Sequence, residues 1–278
     1  MIISVASGKG GTGKTTVATN LAYSLKTNIQ ILDCDVEEPN CHLFLNPEIE
    51  MRKTAFMPVP EIDEEKCTYC KKCAQICRFK AIAVFGNTIL TFPALCHSCG
   101  GCTKICPEEA VTETRRVLGV LEKGRSGNMA FVHGRLRVGE AMSPPLIKQV
   151  RAYVVPDKIN IIDAPPGTSC PVIAAVKDVN FVLIVTEPTP FGLHDLKLAV
   201  EAVKLMGIPC GLVINRSDIG NDDVKKYAAK EKLPILMEIP FDRRIAETYS
   251  KGLLIAREMP EWKERFFELY REIVKLVD

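Results

Sequence analysis

Short apolar runs alternate along most of the chain with longer segments whose apolar residues recur at helical spacing. Runs of this kind predict buried strands, and their alternation with helices predicts a mostly parallel sheet. We therefore expect an α/β fold with a doubly wound sheet of about seven strands. Predicted strands cover residues 2–6, 29–35, 158–163, 181–186, 210–215 and 234–239, and predicted helices cover residues 16–25, 191–206, 221–231 and 258–276.

Two further segments depart from this alternation. Residues 114–121 and 128–136 flank a turn-rich stretch, which predicts a hairpin. It is locally basic, either as a docking surface for an acidic partner or, as we favour, as a solvated ribbon. Its arginines are Arg115, Arg116, Arg125, Arg135 and Arg137.

The last predicted helix carries an apolar stripe of Trp262, Phe266, Leu269, Ile273 and Leu276. Such a stripe serves either packing on the sheet or membrane targeting. The opposite face is mixed in charge rather than strongly basic, which favours packing on the sheet.

Composition narrows the functional classes. The chain has 278 residues, with 36 Lys and Arg against 34 Asp and Glu. This balance gives no indication of a nucleic-acid partner or an anionic membrane. The sequence has no apolar run long enough to cross a bilayer, and the first predicted strand leaves no room for a signal peptide, so we expect a cytoplasmic protein.

Residues 8–16 match the phosphate-binding pattern G-x-x-x-x-G-K-S/T between a predicted strand and a predicted helix. The glycines let backbone N–H groups converge on phosphate oxygens, Lys14 reaches the β- and γ-phosphates, and Thr15 is placed to ligate Mg²⁺. The predicted cofactors at this loop are ATP and Mg²⁺. The predicted phosphate-binding residues are Gly8, Gly10, Gly11, Thr12, Gly13, Lys14, Thr15 and Thr16.

A second lysine, Lys9, lies at the start of this loop. With it the loop resembles the deviant Walker loop of the superfamily of MinD, ParA, Mrp and the nitrogenase iron protein. The resemblance implies an ATPase that forms a homodimer around two ATP molecules, in which Lys9 reaches the phosphates of the partner. The alternative is an ordinary surface lysine.

The same resemblance implies roles for residues at the ends of predicted strands. In Asp33-x-Asp35, Asp35 would position or activate the attacking water, unless it is only a turn residue. Asp163 would hold Mg²⁺ through water, and the Gly167 N–H would sense the γ-phosphate. The predicted adenine-recognition residues are Asn215, Arg216 and Pro240.

Eight of the 12 cysteines form two runs with the spacing C-x₂-C-x₂-C-x₃-C, offset by 29 residues. An internal duplication with this spacing resembles the bacterial two-cluster ferredoxin, in which the fourth cysteine of each run ligates the other cluster. Zinc is the competing ligand, but three thiolates on one tight loop are less typical of zinc. The implied ligands of two 4Fe–4S clusters are Cys67, Cys70, Cys73 and Cys106 for one and Cys96, Cys99, Cys102 and Cys77 for the other.

Four cysteines lie outside these runs. Cys170 follows Asp163 by seven residues, an offset resembling the cluster-bridging cysteine of the nitrogenase iron protein. The alternative is a small buried cysteine at a helix start. We expect Cys34, Cys41 and Cys210 to be ordinary interior residues, and we assign no chemistry to the histidines.

Together these features predict a P-loop ATPase domain, residues 1–57 and 113–278, interrupted by a small α+β ferredoxin-like domain, residues 58–112. The implied function is slow, partner-stimulated ATP hydrolysis that gates electron transfer or iron–sulfur cluster handling, with an unidentified redox or Fe–S acceptor protein as partner. One alternative is an Mrp-like cluster carrier with an additional labile cluster. The alternative of another class is a MinD-like spatial regulator that binds a membrane and an activator protein, for which no basic amphipathic tail is evident.

Overall fold

The computed structural model describes residues 1–25 and 28–277, and eleven strands form within them. In chain order they are β1 Ile2–Ala6, β2 Ile29–Asp33, β3 Glu48–Ile62, β4 Ile82–Phe85, β5 Thr88–Thr91, β6 Val111–Ser126, β7 Met129–Leu136, β8 Ile159–Asp163, β9 Phe181–Thr186, β10 Cys210–Asn215 and β11 Ile235–Ile239. The helices are α1 Lys14–Ser24, α2 Cys41–Leu45, α3 Lys72–Ile76, α4 Gly101–Ile105, α5 Pro144–Arg151, α6 Cys170–Val176, α7 Pro190–Leu205, α8 Asp223–Glu231, α9 Arg243–Ser250, α10 Ile255–Glu258 and α11 Pro260–Val277.

The central sheet has nine strands in the order β11-β10-β9-β1-β8-β2-β7-β6-β3. The seven strands from β11 to β7 are parallel to one another, which confirms the mostly parallel sheet predicted from the sequence. The predicted hairpin is confirmed as the antiparallel pair β6–β7. Strand β6 also pairs with β3, a long edge strand that the apolar pattern did not predict.

Helices cover both faces of the sheet, and each face has its own apolar core. One core contains residues of α5, α6, α7 and α8, and the other contains residues of α1, α2, α10 and α11. The predicted packing of the last helix is confirmed, because Trp262, Phe266, Leu269 and Ile273 are buried, although Leu276 at its end is exposed. Within the described residues, no helix is long and apolar enough to span a membrane.

Strands β3 and β6 form an antiparallel ribbon that extends from Glu48 and Arg125 to Ile62 and Val111. Residues 63–110 lie beyond its far end and contain α3, α4 and the two-stranded sheet β4–β5. A small separate core, made of Cys73, Ile82, Ile89 and Val111, holds this part together. The boundaries predicted at residues 57 and 113 fall inside β3 and β6, so continuous strands rather than linkers join the two parts.

Candidate functional site

Polar residues cluster where the parallel strands of the sheet end. The loop after β1 carries the phosphate-binding pattern, β2 ends at Asp33, and β8 ends at Asp163. Asp33 and Asp163 are register partners on neighbouring strands, and the carboxyl ends of parallel strands are the usual ligand site of a doubly wound sheet.

The glycines of the loop after β1 are required by close contacts and by backbone conformation. A Cβ on Gly8 would lie 2.3 Å from the Asp195 carbonyl oxygen, and one on Gly13 would lie 2.5 Å from Asn215 Nδ2. Gly11 and Gly13 have φ angles of 78° and 93°, in the left-handed region that favours glycine. The loop is therefore held tightly between α7 and the end of β10, with its N–H groups at the start of α1.

Lys14 is the centre of a buried ionic cluster. Its ammonium lies 2.9 Å from Asp163 Oδ1 and 3.4 Å from Asp35 Oδ2. The Thr15 hydroxyl donates to Asp163 Oδ2 at 2.6 Å. Hydroxyl and carboxylate oxygens are ligands that Mg²⁺ prefers, so the pair Thr15 and Asp163 fits the predicted metal site.

Crowding of carboxyl groups changes their protonation. Burial, together with the Asp163 charge and against the opposing Lys14 charge, raises the pKa of Asp35 to about 6. Burial and the Asp163 charge also raise the pKa of Asp33. Burial alone would lower the pKa of Lys14, but the carboxylates of Asp163 and Asp35 outweigh it and raise that pKa. Among the described residues, Lys14 is therefore the cation that compensates the carboxylates of Asp33, Asp35 and Asp163.

The segment after β8 touches the phosphate-binding loop. The Gly167 N–H donates to the Ser7 carbonyl at 2.9 Å, so it must leave this bond before it can contact a phosphate. Cys170 begins α6 as predicted, but it is exposed rather than buried, because α6 starts in the loop at the carboxyl edge of the sheet. The alternative of a small buried cysteine at this position was therefore wrong.

A cavity of about 320 Å³ extends from the phosphate-binding loop past the ends of β10 and β11. Its size is within the range of small-molecule and cofactor sites. The predicted adenine-recognition residues Asn215, Arg216 and Pro240 line it, with Phe241 and Tyr249. The Asn215 amide Nδ2 donates to the Thr12 carbonyl at 2.8 Å, so Asn215 lies directly against the loop.

The sequence did not reveal the residue that holds Lys9. Glu187 follows β9 directly, is 7% exposed, and lies 3.4 Å from the Lys9 ammonium and 3.0 Å from Arg216 Nη1. Its position, an acid at the end of a predicted strand like Asp35 and Asp163, was the available signal. Lys9 therefore contacts a carboxylate of its own chain.

The duplicated cysteine runs have matching backbone conformations. Helices α3 and α4 lie 29 residues apart, like the cysteines. Left-handed φ angles recur at equivalent positions, namely 52° at Tyr69 and 53° at Ser98, 65° at Lys71 and 69° at Gly100, and 57° at Lys80 and 50° at Glu109. The two runs are thus structural repeats as well as sequence repeats.

The structure brings the eight cysteines together as two sets of four. One cavity is lined by Cys67, Cys70, Cys73 and Cys106, and another by Cys77, Cys96, Cys99 and Cys102. Each set combines three cysteines of one run with the last cysteine of the other run. These are the two ligand sets implied by the ferredoxin resemblance, and four sulfurs around one cavity suit the donor chemistry of a 4Fe–4S cluster.

Backbone N–H groups point at three of these sulfurs. The N–H groups of Ala81, Ser98 and Ala110 donate to Cys77 Sγ, Cys96 Sγ and Cys106 Sγ, each at 3.3 Å. Burial raises the pKa of the Cys73, Cys96 and Cys102 thiols, whereas N–H donors favour the thiolate, the form that binds metal.

The predictions for the remaining cysteines and histidines are only partly confirmed. Cys34 and Cys41 are buried as predicted, and the Cys41 thiol lies 3.4 Å from Asp163 Oδ2. Cys210 is only partly buried. His133, to which we assigned no chemistry, lies buried with Nε2 2.6 Å from Glu122 Oε2.

The chain is similar to a family of nucleotide-binding proteins and to several individual proteins. The model of a family described as the CobQ/CobB/MinD/ParA nucleotide binding domain matches residues 3–255. An uncharacterized protein of Methanocaldococcus jannaschii is 32% identical, over 91% of this chain and 90% of its own. An iron-sulfur cluster carrier protein of Pyrococcus abyssi is 28% identical, over 91% of this chain and 78% of its own.

Among solved structures, the septum site-determining protein MinD of Pyrococcus horikoshii, complexed with Mg-ADP, has a similar fold. The TM-score is 0.63 at 22% identity, and the match covers 99% of this chain and 96% of that one. The P-loop fold predicted from the sequence is thereby confirmed.

Proposed function

The chain belongs to the CobQ/CobB/MinD/ParA nucleotide-binding family, and from this premise we propose that it is an ATP-hydrolysing iron–sulfur protein. Its nucleotide state gates electron transfer, or the handling of iron–sulfur clusters, at two 4Fe–4S sites. It acts as a homodimer in the ATP state and serves a redox or Fe–S acceptor protein.

The observation that carries this proposal is the sorting of eight cysteines into two cavities of four within a chain that also carries the phosphate-binding loop. Structural zinc sites also take four ligands, but they are typically built from separated pairs of ligands, whereas here one tight run supplies three thiolates to each cavity. The last cysteine of each run lies in the cavity of the other run. That exchange is the pattern of two-cluster ferredoxins.

Each residue of the nucleotide site has a chemical task in this proposal. Lys14 exchanges its carboxylate partners for phosphate oxygens, and Thr15 and Asp163 hold Mg²⁺. Asp35, as carboxylate, orients the attacking water. The Gly167 N–H transfers from the Ser7 carbonyl to the γ-phosphate, which moves the segment leading into α6. The clusters, when bound, supply one-electron redox chemistry.

A second candidate function is favoured by one observation. Cys170 is exposed directly after the segment that contacts the phosphate-binding loop, so its sulfur is accessible to a labile cluster. Relatives named iron-sulfur cluster carrier protein support this variant. A membrane-bound spatial regulator is less well supported, because most of the apolar stripe of α11 is buried against the sheet.

The test is an anaerobic redox titration with iron and sulfide counting, without nucleotide, with MgADP and with MgATP. We expect about eight iron atoms per chain and a midpoint shift of about 30 mV or more on ATP binding, equivalent to about 0.7 kcal/mol for a one-electron couple. Stoichiometric zinc without iron would contradict the cluster assignment. Identical titration curves in all three conditions would contradict nucleotide gating.

A further inference from the structure

The two cysteine sets are not equivalent in their relation to the ATPase sheet. We call Cys77, Cys96, Cys99 and Cys102 the inner set, and Cys67, Cys70, Cys73 and Cys106 the outer set. The cavity of the inner set is also lined by β3 residues Pro58, Val59 and Pro60. The cavity of the outer set is lined instead by Val84 and Ile89 of the small sheet and by Val111 at the tip of β6.

Direct contacts tie the inner set to the ribbon of β3 and β6. The Ser98 hydroxyl donates to the Pro58 carbonyl, and the Ser98 N–H donates to Cys96 Sγ. Cys96 also packs against the apolar core that contains Met57 and Val59. A movement of β3 near Pro58 therefore displaces groups that contact an inner sulfur.

Helix α5 reaches this part of β3 from the ATPase side. The Gln149 amide donates to the Phe56 carbonyl at 3.0 Å, two residues before Pro58. Leu146, Ile147 and Val150 on the same helix are fully buried. The helix is thus fixed against the sheet along one face and bonded to the ribbon by Gln149.

The last residue of α5, Arg151, contacts the helix that follows the Gly167 segment. The Arg151 guanidinium donates through Nη1 to the Ala174 carbonyl of α6 at 2.9 Å. Gly167 exchanges hydrogen-bond partners when it contacts phosphate, and α6 begins three residues later, at Cys170. A displacement of α6 is therefore passed directly to α5.

The segment after Asp35 packs against α5 as well. A Cβ on Gly134 would lie 2.8 Å from Leu146 Cγ, 2.9 Å from Val150 Cγ2 and 2.9 Å from Val36 Cγ1. Val36 follows Asp35 directly, so these side chains meet over Gly134 without spare room. Close-packed contacts of this kind transmit displacement rather than absorb it.

We propose that α5 transmits the nucleotide state from the segments after Asp35 and Asp163 to the inner cysteine set more strongly than to the outer set. This inference rests on the proposed function and specifies which of the two sites ATP regulates. The cavity of the outer set has no lining residue from β3, the strand that α5 contacts through Gln149.

The test is anaerobic hydrogen–deuterium exchange of the cluster-loaded protein with MgADP and with a non-hydrolysable ATP analogue. In the wild type we expect exchange in α5, residues 56–60 and residues 96–102 to change by about fivefold or more, and exchange in residues 67–73 to change by less than about twofold. Gln149→Leu should lose the changes at residues 56–60 and 96–102 while its ATP hydrolysis stays within about twofold of the wild type. Arg151→Met should reduce the size of the exchange changes at residues 56–60 and 96–102.

The matched control is Lys148→Gln, an exposed position on the same helix that should respond like the wild type. Unchanged visible absorbance of Gln149→Leu verifies that its clusters are loaded. Persistence of the wild-type change at residues 96–102 in Gln149→Leu would overturn the α5 route. Equal changes at both cysteine sets would overturn their distinction, and a wild type without any response would instead contradict the proposed gating itself.

Discussion

At the scale of single residues, the nucleotide site depends on which carboxylate holds which cation. Lys14 is shared by Asp163 and Asp35, whereas Lys9 and Arg216 share Glu187. The pairing with Glu187 holds the Lys9 ammonium against its own chain. In the proposed homodimer, Glu187 would therefore compete for Lys9 with the phosphates bound by the other chain.

We expect Glu187→Gln to lower the MgATP concentration needed for half-maximal dimerisation by up to about fivefold. A partly exposed ion pair contributes up to about 1 kcal/mol, and glutamine preserves the shape of the side chain without its charge. Analytical ultracentrifugation across an ATP titration measures the effect. Glu231→Gln, which removes an exposed pair with Lys204, is the control and should not change it. A higher ATP requirement in Glu187→Gln would show that Glu187 assists dimerisation.

The sequence predicted functional residues whose partners are close to them in the chain. It missed residues whose partners are distant in the chain but close in the fold. The phosphate-binding loop and the cysteine runs are recognisable because their ligand atoms come from short, spaced segments. Glu187 meets Lys9 and Arg216 only because three strands end side by side, which no spacing encodes. For the same reason, the Cys170 position was predicted while its exposure was not.

At the scale of elements, β3 shows why an edge strand is not predicted from the pattern of apolar residues. Its first half is exposed on both faces, and it contains Pro58 and Pro60, which argue against a strand. The sheet tolerates both prolines because β3 is its last strand, with one edge unpaired. The position of β3 at the edge of the sheet, rather than the strand preference of its residues, thus explains why this segment forms a strand.

The ribbon is anchored to the loop between β7 and α5 by a buried ion pair. Arg116 on β6 lies 2.7 Å from Glu140, and their side chains are 12% and 1% exposed. We expect Arg116→Ala to destabilise the protein by about 3 kcal/mol, because it leaves a buried carboxylate with weaker partners.

Arg125→Ala is the matched control on the same strand, where Arg125 and Glu50 are 65% and 51% exposed. It should cost at most about 1 kcal/mol. Anaerobic denaturant unfolding of both variants compares them. Equal decreases in the free energy of unfolding would show that burial does not strengthen the contribution of the Arg116–Glu140 pair.

The hairpin β6–β7 contains a titrating pair, His133 and Glu122. Burial lowers the pKa of His133 below its ordinary 6.5, although Glu122 opposes this. As the pH falls through about 6.5, His133 binds a proton in the unfolded chain but not yet in the folded chain. The free energy of unfolding therefore decreases. His133→Gln should therefore lose less stability than the wild type between about pH 7.5 and pH 5.5.

Melting temperatures at the two pH values measure this difference. His194→Gln, at an exposed position, is the matched control for replacing a histidine by glutamine. A His133→Gln variant with the same pH dependence as the wild type would mean that His133 titrates alike in the folded and unfolded chains.

At the scale of the whole molecule, one sheet serves both halves of the proposed function. Its carboxyl edge holds the nucleotide site, and its β3–β6 end extends into the ribbon that carries the cysteines. Strand β7 lies between β2 of the nucleotide site and β6 of the ribbon. Coupling between the two sites therefore requires no hinge between separate domains, only displacement within a continuous sheet and the helices on it.

The remaining prediction concerns two copies of the chain. Lys14 acts within its own loop, whereas Lys9 is expected to act across the dimer. Substituting the two lysines should therefore impair different properties. Lys14→Ala should reduce ATP binding by about 100-fold, because it removes a buried cation from the phosphate site and leaves its carboxylates uncompensated. Lys9→Ala should bind ATP as a monomer with near wild-type affinity but lose ATP-dependent dimerisation and hydrolysis. Calorimetry, sedimentation and phosphate release measure the three properties. Hydrolysis by Lys9→Ala at the wild-type rate would leave Lys9 as a lysine that only pairs with Glu187, and the homodimer would lose its main residue-level support.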